Sequence, residues 1–404
     1  MRTRYGVSPW TSDLSDSRRP DFPKYRGNRT AAVVIVGGGL TGCLTAHACA
    51  SAGLETVLLE RDRIGQGSTG RSGGMLLPDP GPAFRDIAAA HGLRAARHAF
   101  ESWRRASLEA AAQLRRLHVT CDLEARQTVT IAPGGDEKTL RREFEARQSA
   151  GLDPSWLTQK QVKGAVNTEA PAGIRLRDSF TLDAYRACVR IAAAASKRGV
   201  AMFERSHVRK VTFTRKHADV VIDGGVIRTT AVVIATGTAT PEFKPLMRHF
   251  KQREMYFALT EPIPATVRKQ IGAHGTIVRD TRTPPHRVRW VDDRILVAGA
   301  DQDRVPPKTR ETVLLQRTGQ LMYELSTMYP AISGLRREYG WEVAYGQTAD
   351  GLMYIGSHRN YPHHHFALGG GRDSVTGSFL ASRILLRAIQ GNAEKADEVF
   401  GWTR

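Results

Sequence analysis

A short β-branched run, Ala31–Val36, passes directly into Gly37-x-Gly39-x-x-Gly42 and then into a helical stretch, and this junction leaves few folds open. A continuous apolar run of that kind is the form of a strand buried on both faces of a parallel sheet. The helix predicted over about Leu40–Ala52 closes at Gly53, and Thr56–Glu60 reads as the next strand, so the unit is βαβ. In such a unit the first glycine makes the tight turn, the second lets a pyrophosphate approach the backbone, and the third lets helix and strand pack closely. The helix N-terminus, with Leu40 and Thr41, then faces phosphate, and Glu60 accepts hydrogen bonds from a ribose. Arg61, beside it, joins the cofactor-binding candidates.

NAD and FAD share this fingerprint, so other segments must decide between them. Val232–Ile234 runs into Ala235-Thr236-Gly237, a strand end whose small residues let the chain pass close to a dinucleotide. Near the C-terminus Gly369, Gly370 and Gly371 precede a helix over about Val375–Ile389. Asp373, Ser374, Val375 and Thr376 therefore lie at a helix N-terminus, whose dipole favours negative charge on a reduced flavin. Ile64–Gly74 carries glycines at 65, 67, 70, 73 and 74 and hydroxyls at Ser68, Thr69 and Ser72. That backbone is suited to lie against a flat ring and donate N–H groups to it.

Elsewhere, residues 1–30 are polar and punctuated by Pro9, Pro20 and Pro23, and read as an irregular surface arm. About Phe84–His118 and Asp136–Ala150 read as helices of an inserted region. Thr181 is placed to cap a helix ending near Arg198. Val208–Phe213, Asp219–Ile222 and Val226–Arg228 form a meander about an Asp223-Gly224 turn, and Val232–Ala235 returns to a buried strand. Between about Glu242 and Gly334 the pattern becomes that of antiparallel strands: Glu254–Leu259, Gly275–Arg279, Val288–Val291 and Arg294–Ala298. The predicted organisation is an α/β fold: a discontinuous Rossmann-like domain of residues 1–83, 151–241 and 335–404, and an α+β substrate domain of residues 84–150 and 242–334 built on an antiparallel sheet.

With these motifs in place, the chain resembles the superfamily of FAD-dependent amine and amino-acid oxidases that includes D-amino-acid oxidase, glycine oxidase and sarcosine oxidase. The resemblance runs from about Ser8 to Asn392. It rests on Val33–Gly42, Glu60, Ile64–Gly74, Ala235-Thr236-Gly237, Trp341…Thr348-x-Asp350-Gly351…Ile355-Gly356, and Phe366–Gly369 before the last helix. It implies a glutathione-reductase-like, D-amino-acid-oxidase-like fold with FAD as cofactor. It places Gly67, Ser68, Thr69, Arg71, Ser72, Gly73 and Gly74 along the flavin, and Val208 at the adenine through its backbone. Thr236, Gly237, Gly369 and Gly371 complete the cofactor set. Glu342 stands where relatives usually carry a small residue, and Arg372–Ser374 departs from a more glycine-rich turn. These two departures put a carboxylate and a guanidinium beside the active site, or are surface charges on a displaced loop. No cysteine follows Cys188 and position 72 is serine, so noncovalent FAD is expected.

Composition bounds the partners. Lys+Arg number 59 and Asp+Glu 40, a formal charge of +19 with pI near 10.2, which favours anionic ligands. The basic residues are spread without an Arg/Lys-rich aromatic stretch, so nucleic acid is not expected as the main partner. Cys43, Cys49, Cys121 and Cys188 have neither CxxC nor zinc spacing and read as buried reduced thiols. No run approaches the roughly 20 apolar residues of a membrane span, and no translocation segment is recognisable near the N-terminus, so a cytoplasmic protein is expected. His363-His364-His365 point to alternate faces of a strand, so no metal site is expected.

The expected reaction oxidises the C–N bond of an amino acid or secondary amine by hydride transfer to flavin N5. It yields an imine that hydrolyses, with O2 or a quinone or carrier as electron acceptor. On the substrate side, Tyr256 and Thr260 share one strand face, as do Arg287 and Arg289 on another. Arg289 is the candidate carboxylate anchor and Tyr256 its helper, with Glu342 and Arg372 completing the catalytic candidates. The same strand residues also fit a solvated sheet edge. His286 could act as acid or base, or stand idle in its loop. A disulfide reductase would need a second fingerprint and a redox cysteine pair, and neither is present. A flavin-dependent tRNA-modifying enzyme and a non-catalytic FAD-binding protein remain open.

Overall fold

A computed structural model describes residues 3–13, 19–272 and 275–404, with the side chains of Asp13 and Asp373 outside the described part. The buried run forms a strand, Arg29–Val36, hydrogen-bonded in parallel to Thr56–Leu59 on one side and to Gly225–Gly237 on the other. Ala201–Phe203 extends the sheet beyond Thr56–Leu59, and Tyr361–Leu368 and Tyr354–His358 extend it past Gly225–Gly237. The helices Leu40–Ser51, Ala184–Lys197 and Ser374–Ile389 cover one face of this eight-stranded sheet. The meander strands Val208–Phe213 and Ala218–Ile222 lie on its other side with Gly225–Gly237.

A second, ten-stranded sheet has Arg337–Gln347, Lys251–Thr260, Arg294–Asp303, Arg287–Val291, Thr276–Asp280, Glu124–Ile131 and Ala172–Thr181 in succession. It is antiparallel apart from two pairings: Thr276–Asp280 runs parallel to Glu124–Ile131, and Arg4–Tyr5 parallel to Tyr339–Gly340. The helix Arg310–Met328 packs Leu314, Leu321 and Leu325 on its outer face.

Several local expectations differ from what forms. The long helix over 84–118 is two helices, Phe84–His91 and Leu93–Arg116, because Gly92 takes φ +85° between them. Thr181 ends a strand, and the cap of Ala184–Lys197 is Asp183, whose carboxylate accepts from Arg186 N at 2.9 Å. The last meander strand and the strand at 232–235 are one, Gly225–Gly237. The N-terminal arm is not irregular throughout, since it supplies the strand Arg4–Tyr5 and the short helix Pro9–Asp13. Sheet membership also cuts across the predicted domain boundaries, since Arg337–Gln347 and Ala172–Thr181 both belong to the ten-stranded sheet.

Behind that sheet, Asp79, 2% exposed, receives both guanidinium arms of Arg279 at 2.8 Å and Arg147 at 3.1 Å. Arg147 also binds Glu143 at 2.7 Å, and Glu143 accepts the N–H groups of Phe84 and Arg85. Burial alone would raise the Asp79 carboxyl, but the two guanidiniums hold it well below the usual carboxylate range. A carboxylate depressed in the fold contributes stability above its unfolded pKa and loses it only in strong acid. Asp79→Asn at neutral pH is therefore expected to destabilise the fold by about 3–5 kcal/mol, because the carboxylate that receives both arms of the buried Arg279 loses its charge, while Arg147 keeps Glu143. Urea unfolding followed by tryptophan fluorescence measures it, and a loss below about 1 kcal/mol would mean the cluster relaxes onto other acceptors.

Candidate active site

The dinucleotide turn is built by close backbone packing. A Cβ on Gly37, whose φ is +113°, would lie 2.5 Å from Ala235 O, and one on Gly42 would lie 1.9 Å from Gly37 O. Gly39 caps the helix Leu40–Ser51 without a side chain of its own, so beyond Leu40 N, which Thr69 takes, the first-turn amides are left for an anion. Glu60 accepts Gly38 N at 2.6 Å and Asp62 N at 2.8 Å. Burial raises its carboxyl and these two donors oppose the rise. Arg61 turns to solvent and pairs with Asp62. Ser206 N donates to Glu60 O at 2.8 Å, which carries the chain past the ribose side just before Val208. Thr41 Oγ1 meets Ser378 Oγ at 2.8 Å, and Gly369 N donates to Gly237 O at 2.9 Å, so the last helix and the Ala235–Gly237 strand end close on the same turn. Thr236 Oγ1 bonds to Thr238 O.

The glycine-rich segment is held from both sides. Gly65 N donates to Gly38 O at 2.9 Å, and Leu40 N donates to Thr69 Oγ1 at 3.0 Å, tying it to the dinucleotide turn. Trp341 Nε1 donates to Arg71 O at 2.9 Å and Trp10 Nε1 to Ser72 O at 2.8 Å, and Ser8 Oγ bonds to Gly70 O. Trp10 and Ser8 are functional-site neighbours that sequence reasoning passed over, and an aromatic in an otherwise polar arm is the signal that marks them. Gly67 and Ser68 stand at the outer bend, where a Cβ on Gly67 would meet nothing within 4 Å. The Arg71 guanidinium lies 3.3 Å from Glu342 Oε1 and 3.2 Å from Glu342 O, and Arg310 binds the same carboxylate. Glu342, 3% exposed, is thereby neutralised between two cations and faces away from the cavity described next.

Where the glycine-rich segment meets the ten-stranded sheet lies a small, partly open cavity. Ser72–Met75 and Val375 form its nucleotide side. Met255, Phe257, Ala298 and Arg287 form the sheet side, and Arg372 closes one end. Phe257 stacks on Trp341 with centroids 5.0 Å apart, which keeps this wall flat. Arg372 donates to Pro285 O at 2.7 Å and pairs with Asp301 at 3.0 Å, and Tyr345 Oη donates to Asp301 at 2.7 Å. Thr376 Oγ1 bonds both the N–H and the carbonyl of Leu77, which pins the last helix to the segment beyond Met75. Ser374 O accepts from Ser378 Oγ, and Gly371 opens the one-turn helix Gly371–Asp373 with φ +64°. The expected role of the Asp373 side chain lies outside the described residues.

Two of the expected substrate residues do not reach this cavity. Tyr256 faces the opposite side of its strand, packed in the core under Arg310–Met328, with its hydroxyl donating to Glu254 at 3.1 Å and accepting from Gln302. Alternation decides this, since Met255 and Phe257 take the cavity face. Arg289 shares a face with Arg287, but its guanidinium sits behind Gly74, over the Trp10 ring at 5.3 Å and 3.5 Å from Leu182 O. Among the described residues no carboxylate lies within ion-pair distance of it, and burial pulls its pKa down to about 10.

The three consecutive histidines do not converge either. His363 bonds the carbonyls of Thr230 and Thr214, and the ring of His364 stacks on Phe366. Among the described residues no group of three or more His, Cys, Asp or Glu is placed to hold a metal. Nor is any described helix long and apolar enough to cross a membrane.

A dinucleotide turn, a glycine-rich strip leading from it to a small cavity, and a sheet lying over that cavity define a flavin-dependent oxidoreductase. The chain belongs to the FAD-dependent oxidoreductase (DAO) family, whose family model matches residues 32–388. It is 24% identical to the probable oxidoreductase OrdL of Haemophilus influenzae over 94% of this chain and 88% of that protein. It is 22% identical to the γ-glutamylputrescine oxidoreductase of Escherichia coli over 95% and 89%. Among solved structures, glycine oxidase from Geobacillus kaustophilus superposes with a TM-score of 0.76 at 19% identity, covering 93% of this chain and 99% of that one. The cofactor is therefore FAD, and the uncapped helix at Gly39, the Glu60 carboxylate and the glycine packing at 37 and 42 fit it.

Proposed function

We propose that this enzyme oxidises the C–N bond of an amino acid or a secondary amine bearing a carboxylate, giving an imine that water hydrolyses. The observation that carries the reading is the cavity itself, with Arg287 and Arg372 at the sheet side of the Ser72–Met75 strip. FAD, bound noncovalently, supplies a two-electron acceptor for the substrate C–H. Arg287 and Arg372 orient the carboxylate, since a guanidinium grips a carboxylate with paired hydrogen bonds. Each has donors enough to serve an internal partner and a ligand together. Met255, Phe257 and Ala298 supply an apolar floor that excludes water around the reacting carbon. Curated relatives named γ-glutamylputrescine oxidoreductase and glycine oxidase support an amine or amino acid as the substrate. Reoxidation by O2, a quinone or a carrier protein, in the cytoplasm, completes the reading.

Anaerobic mixing of the holoenzyme with a panel of amino acids, N-methyl amino acids and amines tests it. At least one carboxylate-bearing amine is expected to bleach the visible flavin absorbance. A panel in which none does so would remove amine oxidation as the activity.

A further inference from the structure

His286 immediately precedes Arg287 in the chain, and follows Pro285, whose carbonyl holds Arg372 at 2.7 Å. Its side chain is 8% exposed and sits between two carboxylates: Nδ1 is hydrogen-bonded to Asp280 Oδ2 at 2.9 Å, and Nε2 lies at ion-pair distance, 2.6 Å, from Glu324 Oε2 on the helix Arg310–Met328. The loop closes on the same acid, because His286 N and Arg282 N both donate to Asp280 Oδ1, at 2.7 and 3.3 Å. On the strand Arg294–Asp303 the ring rests against Gly299, where a Cβ would lie 2.6 Å from His286 Cδ2. That strand brings no charge to the ring at Gly299, and its Asp301 is engaged by Arg372 and Tyr345.

We propose that His286 is a positioning residue for carboxylate binding: with a proton on both ring nitrogens it ties the Asp280–Arg287 segment to the helix Arg310–Met328, and so sets Arg287 and the carbonyl on which Arg372 rests. The inference rests on the cavity being the carboxylate site. A neutral ring keeps only one of its two links. With Nδ1–H retained toward Asp280, the Nε2 lone pair would face the Glu324 carboxylate at contact distance, and two acceptors repel. The helix-side anchor then opens, while the Asp280 turn persists.

The charges facing the ring are Asp280 and Glu324, with Arg282 opposing them. Burial pulls the imidazole down, but the hydrogen bond and charge of Asp280, with Glu324, prevail and the net shift is upward. A histidine raised in the fold is charged below its unfolded value and loses that charge as pH rises through the folded one. Carboxylate binding should therefore weaken on the alkaline side.

The test titrates the holoenzyme with acetate, read as a perturbation of the flavin absorbance, from about pH 6 to about pH 9, alongside the NMR titration of the His286 imidazole. The apparent Kd for acetate is expected to rise about tenfold as His286 loses its proton. Glu324→Gln should move both midpoints to lower pH together, and His286→Gln should bind acetate weakly at every pH. Binding that stays flat through the His286 titration, or a His286→Gln enzyme that binds acetate as tightly as the parent, would overturn the proposal. If His286→Gln does not fold, the paired shift in Glu324→Gln decides alone. An enzyme whose acetate binding follows His286 while no amine reduces its flavin would contradict the amine reading and leave this one standing.

Discussion

Gly42→Ala is expected to yield a protein that no longer retains FAD. The added Cβ would stand 1.9 Å from Gly37 O and 3.1 Å from Gly37 C, and both are backbone atoms of the turn that must hold the phosphates. No side-chain rotation relieves that contact. Either the helix Leu40–Ser51 slides away from the strand Arg29–Val36, or the turn opens, and in both cases the helix N-terminus leaves the pyrophosphate position. Overpacking of this kind costs about 1–3 kcal/mol in a core that can give, and more where backbone meets backbone. Flavin content per polypeptide after gel filtration is the measurement, and stoichiometric FAD would refute the steric argument. Gly164→Ala is the matched control: it lies in the helix Gln159–Val166 with nothing within 4 Å of its Cβ position. That variant should keep its flavin and gain slightly in stability, since alanine is the better helix former.

Arg287→Met is expected to raise KM for a carboxylate-bearing substrate about 100-fold, equivalent to about 2.7 kcal/mol of lost binding, with flavin content unchanged. The side chain lines the cavity, whereas the backbone proposed to hold the cofactor belongs to other segments. Arg289→Met should behave differently although it is two residues along the same strand face. Arg289 is 5% exposed, packs behind Gly74, and has no carboxylate within ion-pair distance among the described residues. Replacing such a cation by an apolar chain of similar length removes a desolvation cost. Its KM should stay within about twofold of the parent and its Tm should not fall. Equal KM effects from the two substitutions would mean that substrate reaches past Gly74 to Trp10.

Both expectations separate what alternation along a strand reveals from what it leaves open. The pattern around residues 287–290 shows that the two arginines share a face and that Val288 and Trp290 share the other. It is silent on where along that face the glycine-rich strip crosses, and the crossing at Gly73 and Gly74 selects Arg287. The same limit explains Tyr256. Its strand is apolar on both faces because the helix Arg310–Met328 covers the outer one, so no polar alternation marks the inner side. That helix carries its own signal in Leu314, Thr318, Leu321 and Leu325, a 3.6-residue rhythm lying within a stretch otherwise read for strands. The Asp79 cluster was illegible for a different reason: its members come from residues 79, 143, 147 and 279, and ion pairs between distant segments leave no local pattern.

The dinucleotide turn, its βαβ setting, the glycine-rich strip and the small-residue strand end are legible in the residues alone. In each of these the chemistry is carried by backbone within a few consecutive residues, and glycine is required there for steric reasons that hold in any fold. Which side chains stand over the strip was settled by long-range packing. It turned Arg71 onto Glu342 and away from the cavity, withdrew Tyr256 and Arg289, and set Arg287 beside Arg372 with His286 behind them. A side chain's access to a site depends on the register between strands far apart in sequence, and that register is settled by packing two sheets and a helix together.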